Sequence, residues 1–218
     1  MELLSINQST VTSLFWAGNA EQKVNMFKAT EMLVEKYQFK GWPTPQELQS
    51  DKQAFQHGTF NKASIRSLEI YNDGVIVRAQ CNTSILEAFL NDLEQWMEAK
   101  VGWKRIETHR LNRAYGSEVL VRCDDQVLKF LSVYSAAASE ISRSLKSHTG
   151  RDAITYVPAG IMFAADESHI AGIKPSPFRL ERKFGSDFEQ SIFYSAAPIP
   201  TDDHLALIKS LEKQAIHL

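Results

Sequence analysis

The sequence predicts an α+β fold: an antiparallel or mixed sheet with helices packed on one face, built around two β-hairpin–helix (ββα) units, plus an N-terminal helical arm. Three observations carry this reading. Asp73-Gly74 separates two β-rich runs that lead directly into a capped amphipathic helix. A similar strand–turn–strand–helix order closes the chain at Pro177–Leu218. Between them lies a heptad-like apolar seam at the spacing of one long helix.

In chain order, Thr10–Trp16 alternates weakly, as a short strand would. Asn19 and Gln22 form an N-x-x-Q cap for a helix to Tyr37, and Gly41-Trp42-Pro43 stops it. Thr44-Pro45-Gln46-Glu47 combines an N-cap, a proline at N1 and a capping-box glutamate, so a second, mostly polar helix is expected to about Phe55. Residues 1–62 are therefore predicted to form a helical arm that covers part of the sheet. Residues 63–218 are predicted to form a single α+β domain.

Ile65–Asn72 and Val75–Cys81 flank Asp73-Gly74, which suits a type I′ turn with positive φ at both central residues. That loop would pair Ile70 with Val77 and Leu68 with Ala79, and set Glu69 opposite Arg78. Ser84 and Glu87 make an S-x-x-E capping box for the next helix. Its stripe is Leu86, Phe89, Leu90, Leu93 and Met97, and its stop is Gly102.

Arg105–Leu111 and Glu118–Cys123 read as a second strand pair. Asp124 or Asp125 caps the long helix 125–147. Val127, Leu131, Tyr134, Ala138, Ile141 and Leu145 form its seam, and a serine row runs down a neighbouring face. Two roles fit the seam: packing on the sheet, or pairing between subunits. Asp152–Ala165 is the most apolar segment and reads as a central strand, although Pro158 and Gly160 indicate a bulge or an edge. Phe178–Lys183 and Phe188–Ala196 form the second hairpin around Gly185-Ser186-Asp187. A Gly-Ser and a Ser-Asp loop fit it equally well. Thr201 caps a last helix whose stripe is Leu205, Ile208 and Leu211.

The formal charge of −2 gives no overall pull toward nucleic acid or acidic lipid, and no run reaches the ~18 apolar residues of a membrane span. With no signal-peptide pattern at Met1-Glu2-Leu3-Leu4 and only Cys81 and Cys123, a reduced, cytoplasmic protein is expected, without cofactor or metal. Phosphate-binding loops, a nucleophile elbow and C-x-x-C pairs are absent from the sequence. Each cysteine precedes a predicted helix start, where the dipole would lower a thiol pKa; two buried strand-end cysteines explain the placement equally well.

Three sets of residues remain as candidates. Asp166, Glu167 and His169 in one loop, and Asp203 and His204 in another, combine carboxylate with imidazole. A small metal- or acid–base-dependent hydrolase would need them to converge. Segment 101–151 carries nine Lys or Arg against five acids. Lys104, Arg105, Arg110, Arg113, Arg143 and Lys146 are its contact candidates for nucleic acid or an acidic partner, with Trp103, His109 and Tyr115 interleaved. The seam is the third. The favoured expectation is a non-enzymatic binding or assembly module that acts through protein–protein contacts, as a homo-oligomer paired along the seam. A nucleic-acid-binding accessory protein is the second reading and the hydrolase the third.

Overall fold

The computed structural model describes residues 1–14, 26–102, 112–150, 154–170 and 172–216. It is an α+β structure with one eight-stranded antiparallel sheet and four α-helices. The elements run β1 (Glu2–Leu14), α1 (Met26–Tyr37), β2 (Lys52–Phe60), β3 (Ala63–Tyr71), β4 (Gly74–Ala79) and α2 (Thr83–Val101). They continue with β5 (Asn112–Arg122), a 3₁₀ helix (Asp125–Tyr134), α3 (Ser135–Thr149), β6 (Gly160–Phe163), β7 (Phe178–Arg182), β8 (Ile192–Ala197) and α4 (Thr201–Ile216).

The sheet order is β2-β3-β4-β1-β5-β8-β7-β6, which reads alike from either edge. Each half contributes a strand, a helical segment, three strands and a helix. Register places Phe55, Leu68, Val77 and Val11 on the same face as Tyr115, Val119, Ser195, Leu180 and Ile161. The helices pack on that face over two separate apolar cores. One joins Val11, Leu33, Tyr37, Phe55, Leu68, Val77 and α2. The other joins Val119, Val121, Val127, Leu131, Leu180, Phe193 and Ile208. The opposite face bears Thr10, Arg78, Gly116 and Glu118, and with Ile170, Ile173, Lys174 and Pro175 it bounds a cleft of about 640 Å³.

The predicted N-terminal helical arm holds one helix, α1, which ends at Tyr37 as expected, but β1 and β2 on either side of it belong to the sheet. β1 lies at the centre of the sheet, between β4 and β5. Its core-facing positions are Ser9, Val11 and Ser13, all fully buried, so small polar groups occupy sites where apolar alternation is expected. The Thr44–Glu47 capping box does form: Thr44 N–H donates to Glu47 Oε2 at 2.7 Å and Glu47 N–H to Thr44 Oγ1 at 3.4 Å. It starts only the single turn Glu47–Gln49, because Phe55 and Gln53 are drawn into β2. The expected boundary at 62/63 falls inside a hairpin. Asn61 and Lys62 both have positive φ (46° and 68°), and Phe60 pairs with Ala63, as a two-residue type I′ turn requires.

The β3–β4 hairpin is shifted two residues from the predicted register: Ile70 pairs with Val75 and Leu68 with Val77. A shift of two keeps every side chain on its expected face. Gly74 belongs to β4 and pairs with Leu14; a Cβ there would lie 2.8 Å from Ser13 O. The glycine therefore permits close strand approach and does not form the turn. Glu69 and Arg78 still form their ion pair, now diagonally, at 3.0 Å. The N-cap of α2 is Asn82, whose Oδ1 accepts from Ser84 N–H at 2.9 Å, while Glu87 accepts from the Tyr115 hydroxyl. Gly102 ends that helix in the left-handed conformation (φ 73°).

The predicted long helix 125–147 divides at Ser135. Its first ten residues wind as 3₁₀, where positions three apart eclipse, so Leu128 and Leu131 are buried together with Val127. The predicted central strand Asp152–Ala165 is four residues long and lies at the sheet edge; its first two residues lie outside the described ones. Gly160 meets β7 so closely that a Cβ would contact Leu180 O at 2.7 Å. β7 and β8 pair through Arg182 and Phe193, across a loop far longer than two residues. Predicted strand Arg105–Leu111 and the Asn19/Gln22 cap lie outside the described residues.

Candidate functional site

The chemistry-bearing groups that do converge lie where the two halves meet. α2 and α4 start side by side. Thr83 N–H donates to Thr201 Oγ1 at 3.2 Å, and Thr201 N–H donates to Thr83 Oγ1 at 2.9 Å. Each threonine thus satisfies the other helix's first amide, and Ser9 Oγ lies 3.3 Å from Thr201 Oγ1. Asn82 Nδ2 also donates to Asp202 Oδ1 at 2.7 Å.

One turn further along α4, His204 is fully buried against the edge of the Phe178 ring. Its Nε2 lies 2.8 Å from Ser195 Oγ and its Nδ1 lies 3.1 Å from Ser117 Oγ. Ser195 gives its own proton to Arg179 O at 2.6 Å, so it must accept from Nε2–H. Nδ1 then accepts from the Ser117 hydroxyl, and one neutral tautomer satisfies all three side chains. Burial pushes the His204 pKa down to about 4. Ser117 donating to an imidazole has the form of a nucleophile with its base, but both groups are buried beneath the helices. The arrangement holds a neutral polar core together.

The predicted carboxylate–histidine site is not assembled. Asp166 accepts from Ser168 N–H at 3.0 Å, which holds its carboxyl below the usual carboxylate range. Glu167 pairs with Lys174 at 2.9 Å, and His169 is exposed in the same short turn. Asp203 is exposed on α4 while its neighbour His204 points inward. Among the described residues, no three of His, Cys, Asp and Glu come together as metal ligands would.

Of the basic segment's contact candidates, Arg113, Arg143 and Lys146 are among the described residues. Lys104, Arg105 and Arg110, with Trp103 and His109, lie outside the described residues. Arg113 is nearly buried and reaches Glu94 of α2 at 3.0 Å. Arg143 is exposed on α3 and forks onto Glu140 one turn away at 2.7 Å, and Lys146 lies exposed one turn further on. The cysteines are governed by burial, not by helix dipoles: desolvation raises Cys81, and pushes Cys123 up to about 12 with help from Glu212.

The seam residues separate into two sets. Val127, Leu131 and Ala138 are buried, whereas Tyr134 is 61% exposed and Ile141 50% exposed, with Leu145 half-buried. Segment 154–157 runs beside α3, tied by Tyr156 N–H donating to Ser142 Oγ at 2.8 Å. It exposes Ile154, Tyr156 and Val157. On β6, Met162 (60% exposed) and Phe163 (56%) point to opposite faces of the sheet, the latter stacked on Phe178 at 5.5 Å. This apolar surface is what sequence reasoning missed: the run 154–163 is apolar enough to suggest a core strand, and lies outside. Its signal was the Pro158 and Gly160 interruption.

No protein-family model matches the chain, and no curated protein matches it in sequence. Among the described residues, no helix is long and apolar enough to cross a membrane.

Proposed function

We propose that this chain is a non-enzymatic assembly module that self-associates through its C-terminal half, along α3, segment 154–157 and β6. The observation that carries the reading is that the most apolar stretch of the sequence lies on the surface beside the exposed Ile141 of α3. Exposed large apolar side chains gathered in one stretch of chain mark protein–protein contacts.

The two six-element halves are read as copies of one module, of which only the second turned its helical segment outward. Both cysteines are free, which suits a reducing compartment such as the cytoplasm. Native mass spectrometry tests the proposal. A mass of two chains is expected for the purified protein, and Ile141→Lys is expected to return one chain with an unchanged circular dichroism spectrum. A wild-type monomer at micromolar concentration overturns it.

A further inference from the structure

We propose that the cleft on the helix-free face of the sheet binds a small organic anion with an apolar body, its charge on Arg78 and its body against the loop that joins β6 to β7. The cleft shares no lining residue with the surface proposed for self-association, so the two readings are independent.

The halves differ at this loop. The β2–β3 and β6–β7 pairs hold matching places in the palindromic sheet order. Phe60 pairs with Ala63, so two residues close the first hairpin, whereas Phe163 pairs with Phe178 and residues 164–177, fourteen in all, close the second. The longer loop sets Ile170, Ile173 and Pro175 against a cleft that Thr10, Thr12 and Gly116 of the central strands also line. A loop of that length with only a short turn of its own is uncommon in a compact domain and usually serves a site.

Gly116 keeps the floor of this cleft open without being needed for strand packing. At Gly74 and Gly160 a Cβ would run into neighbouring backbone at 2.8 and 2.7 Å, so the fold itself demands glycine there. At Gly116 a Cβ would meet only Thr10, at an ordinary 3.5 Å. A strand glycine with no such steric demand marks a place where a ligand can approach the backbone.

The polar groups select an anion. Arg78 gives one guanidinium nitrogen to Glu69 Oε1 at 3.0 Å, its only ion pair among the described residues, which leaves most of its N–H donors for a ligand. Glu69 has Lys52 and the Tyr71 hydroxyl as further partners. Glu118, the one carboxylate among the described lining residues, is engaged by the Tyr194 hydroxyl. Thr10 and Thr12 add hydroxyls beside Arg78, and Ile170, Ile173 and Pro198 supply apolar wall. At about 640 Å³ the cleft falls within the roughly 300–1,000 Å³ usual for small-molecule sites.

Isothermal titration of the full chain with sodium octanoate tests the site, with sodium acetate and octan-1-ol as probes that lack the body and the charge. Saturable octanoate binding is expected, tighter than octan-1-ol by about tenfold or more, the usual worth of a hydrogen bond to a charged group. Acetate should not bind. Arg78→Gln should remove the preference for octanoate and leave the circular dichroism spectrum unchanged, because Glu69 keeps its other partners. Gly116→Leu fills the floor and should abolish binding. Should that variant fold poorly, Ile173→Asp on the exposed part of the loop should repel the anion and weaken octanoate by about tenfold as well. No saturable octanoate binding at millimolar concentration overturns the proposal. Equal affinity for octan-1-ol overturns the anion, and equal affinity for acetate overturns the apolar body. Octanoate binding unmoved by both Gly116→Leu and Ile173→Asp lies elsewhere on the protein and overturns the cleft.

Discussion

At one edge of the sheet, β2 lies under α1, and its outer backbone is met by Gly41: Gln56 N–H donates to Gly41 O at 2.8 Å and Gln56 O accepts from Lys40 and Gly41 N–H. At the other edge, β6 is four residues long, exposes its own Met162 and Phe163, and has exposed Phe184 beside it. The element order of the two halves is the same. What differs is the helical segment after the first strand, which is a regular helix on the sheet in one half and a 3₁₀ turn leading to a protruding helix in the other. The contrast shows that topology does not fix which surfaces are buried; the pitch of one segment does. Edges protected on one side and apolar on the other mark where further chain can add.

The largest effect expected from this contrast lies within the seam. Leu131→Lys places a charge in the second core and should cost several kcal/mol, a large part of the ~5–15 kcal/mol typical of a domain, leaving no cooperative thermal transition. Ile141→Lys, on the exposed part of the same predicted seam, should keep its transition within a few degrees. Equal losses from the two would show that α3 packs on its own sheet.

Next comes the pair of outer-strand phenylalanines. Phe55→Ala should lose about 3–5 kcal/mol in urea unfolding, because it empties a site enclosed by Phe39 and Leu33. Phe163→Ala should cost under about 1 kcal/mol for the isolated protomer, and more only where the dimer is populated. A concentration-independent loss of several kcal/mol at Phe163 would mean that its own chain covers it.

These positions also show how far the sequence could be read. The faces of β3 and β4 were legible because alternation survives a two-residue slip, whereas their register was not, since Gly74 serves contact with Ser13. β1 was nearly silent: Ser9 faces inward toward the helix start at Thr201, and Ser13 faces inward toward Glu94 of α2. β2 was obscured by a capping box that forms but extends for one turn only. The seam was legible as apolar periodicity, but spacing does not report the change from 3₁₀ to α at Ser135. The expected catalytic pairing failed for a related reason. Asp203 and His204 are about 100° apart around α4, which leaves Asp203 in solvent and His204 in the core.

The core beneath the C-terminal half holds a buried imidazole, and its pH response should differ from that of the other half. His204 has a folded pKa of about 4 against about 6.5 unfolded. The unfolded chain therefore binds the proton first. Stability is complete above about pH 6.5 and falls as the pH drops toward 4, by about 2 kcal/mol at pH 5. Hydrogen exchange at pH 7 and pH 5 should show faster opening of β5, β8 and α4 than of β2, β3 and β4. His204→Gln should remove this part of the pH dependence. An unchanged urea midpoint between pH 7 and 5 in the wild type would mean that the imidazole is protonated without opening the fold.

The smallest expected effect tests the join between the halves. Thr83 and Thr201 each accept the other helix's first amide, so Thr83→Val leaves the Thr201 amide without its acceptor, and Thr201→Val does the same to Thr83. Each change should cost about 1 kcal/mol, the usual value of a lost cap. The two hydroxyls belong to one reciprocal contact. Once either is gone the helix starts can part and admit water, so the second change should cost less than the first. A double-mutant cycle in urea should therefore give a coupling of about 0.5 kcal/mol or more. Strict additivity would show two independent caps that happen to be adjacent.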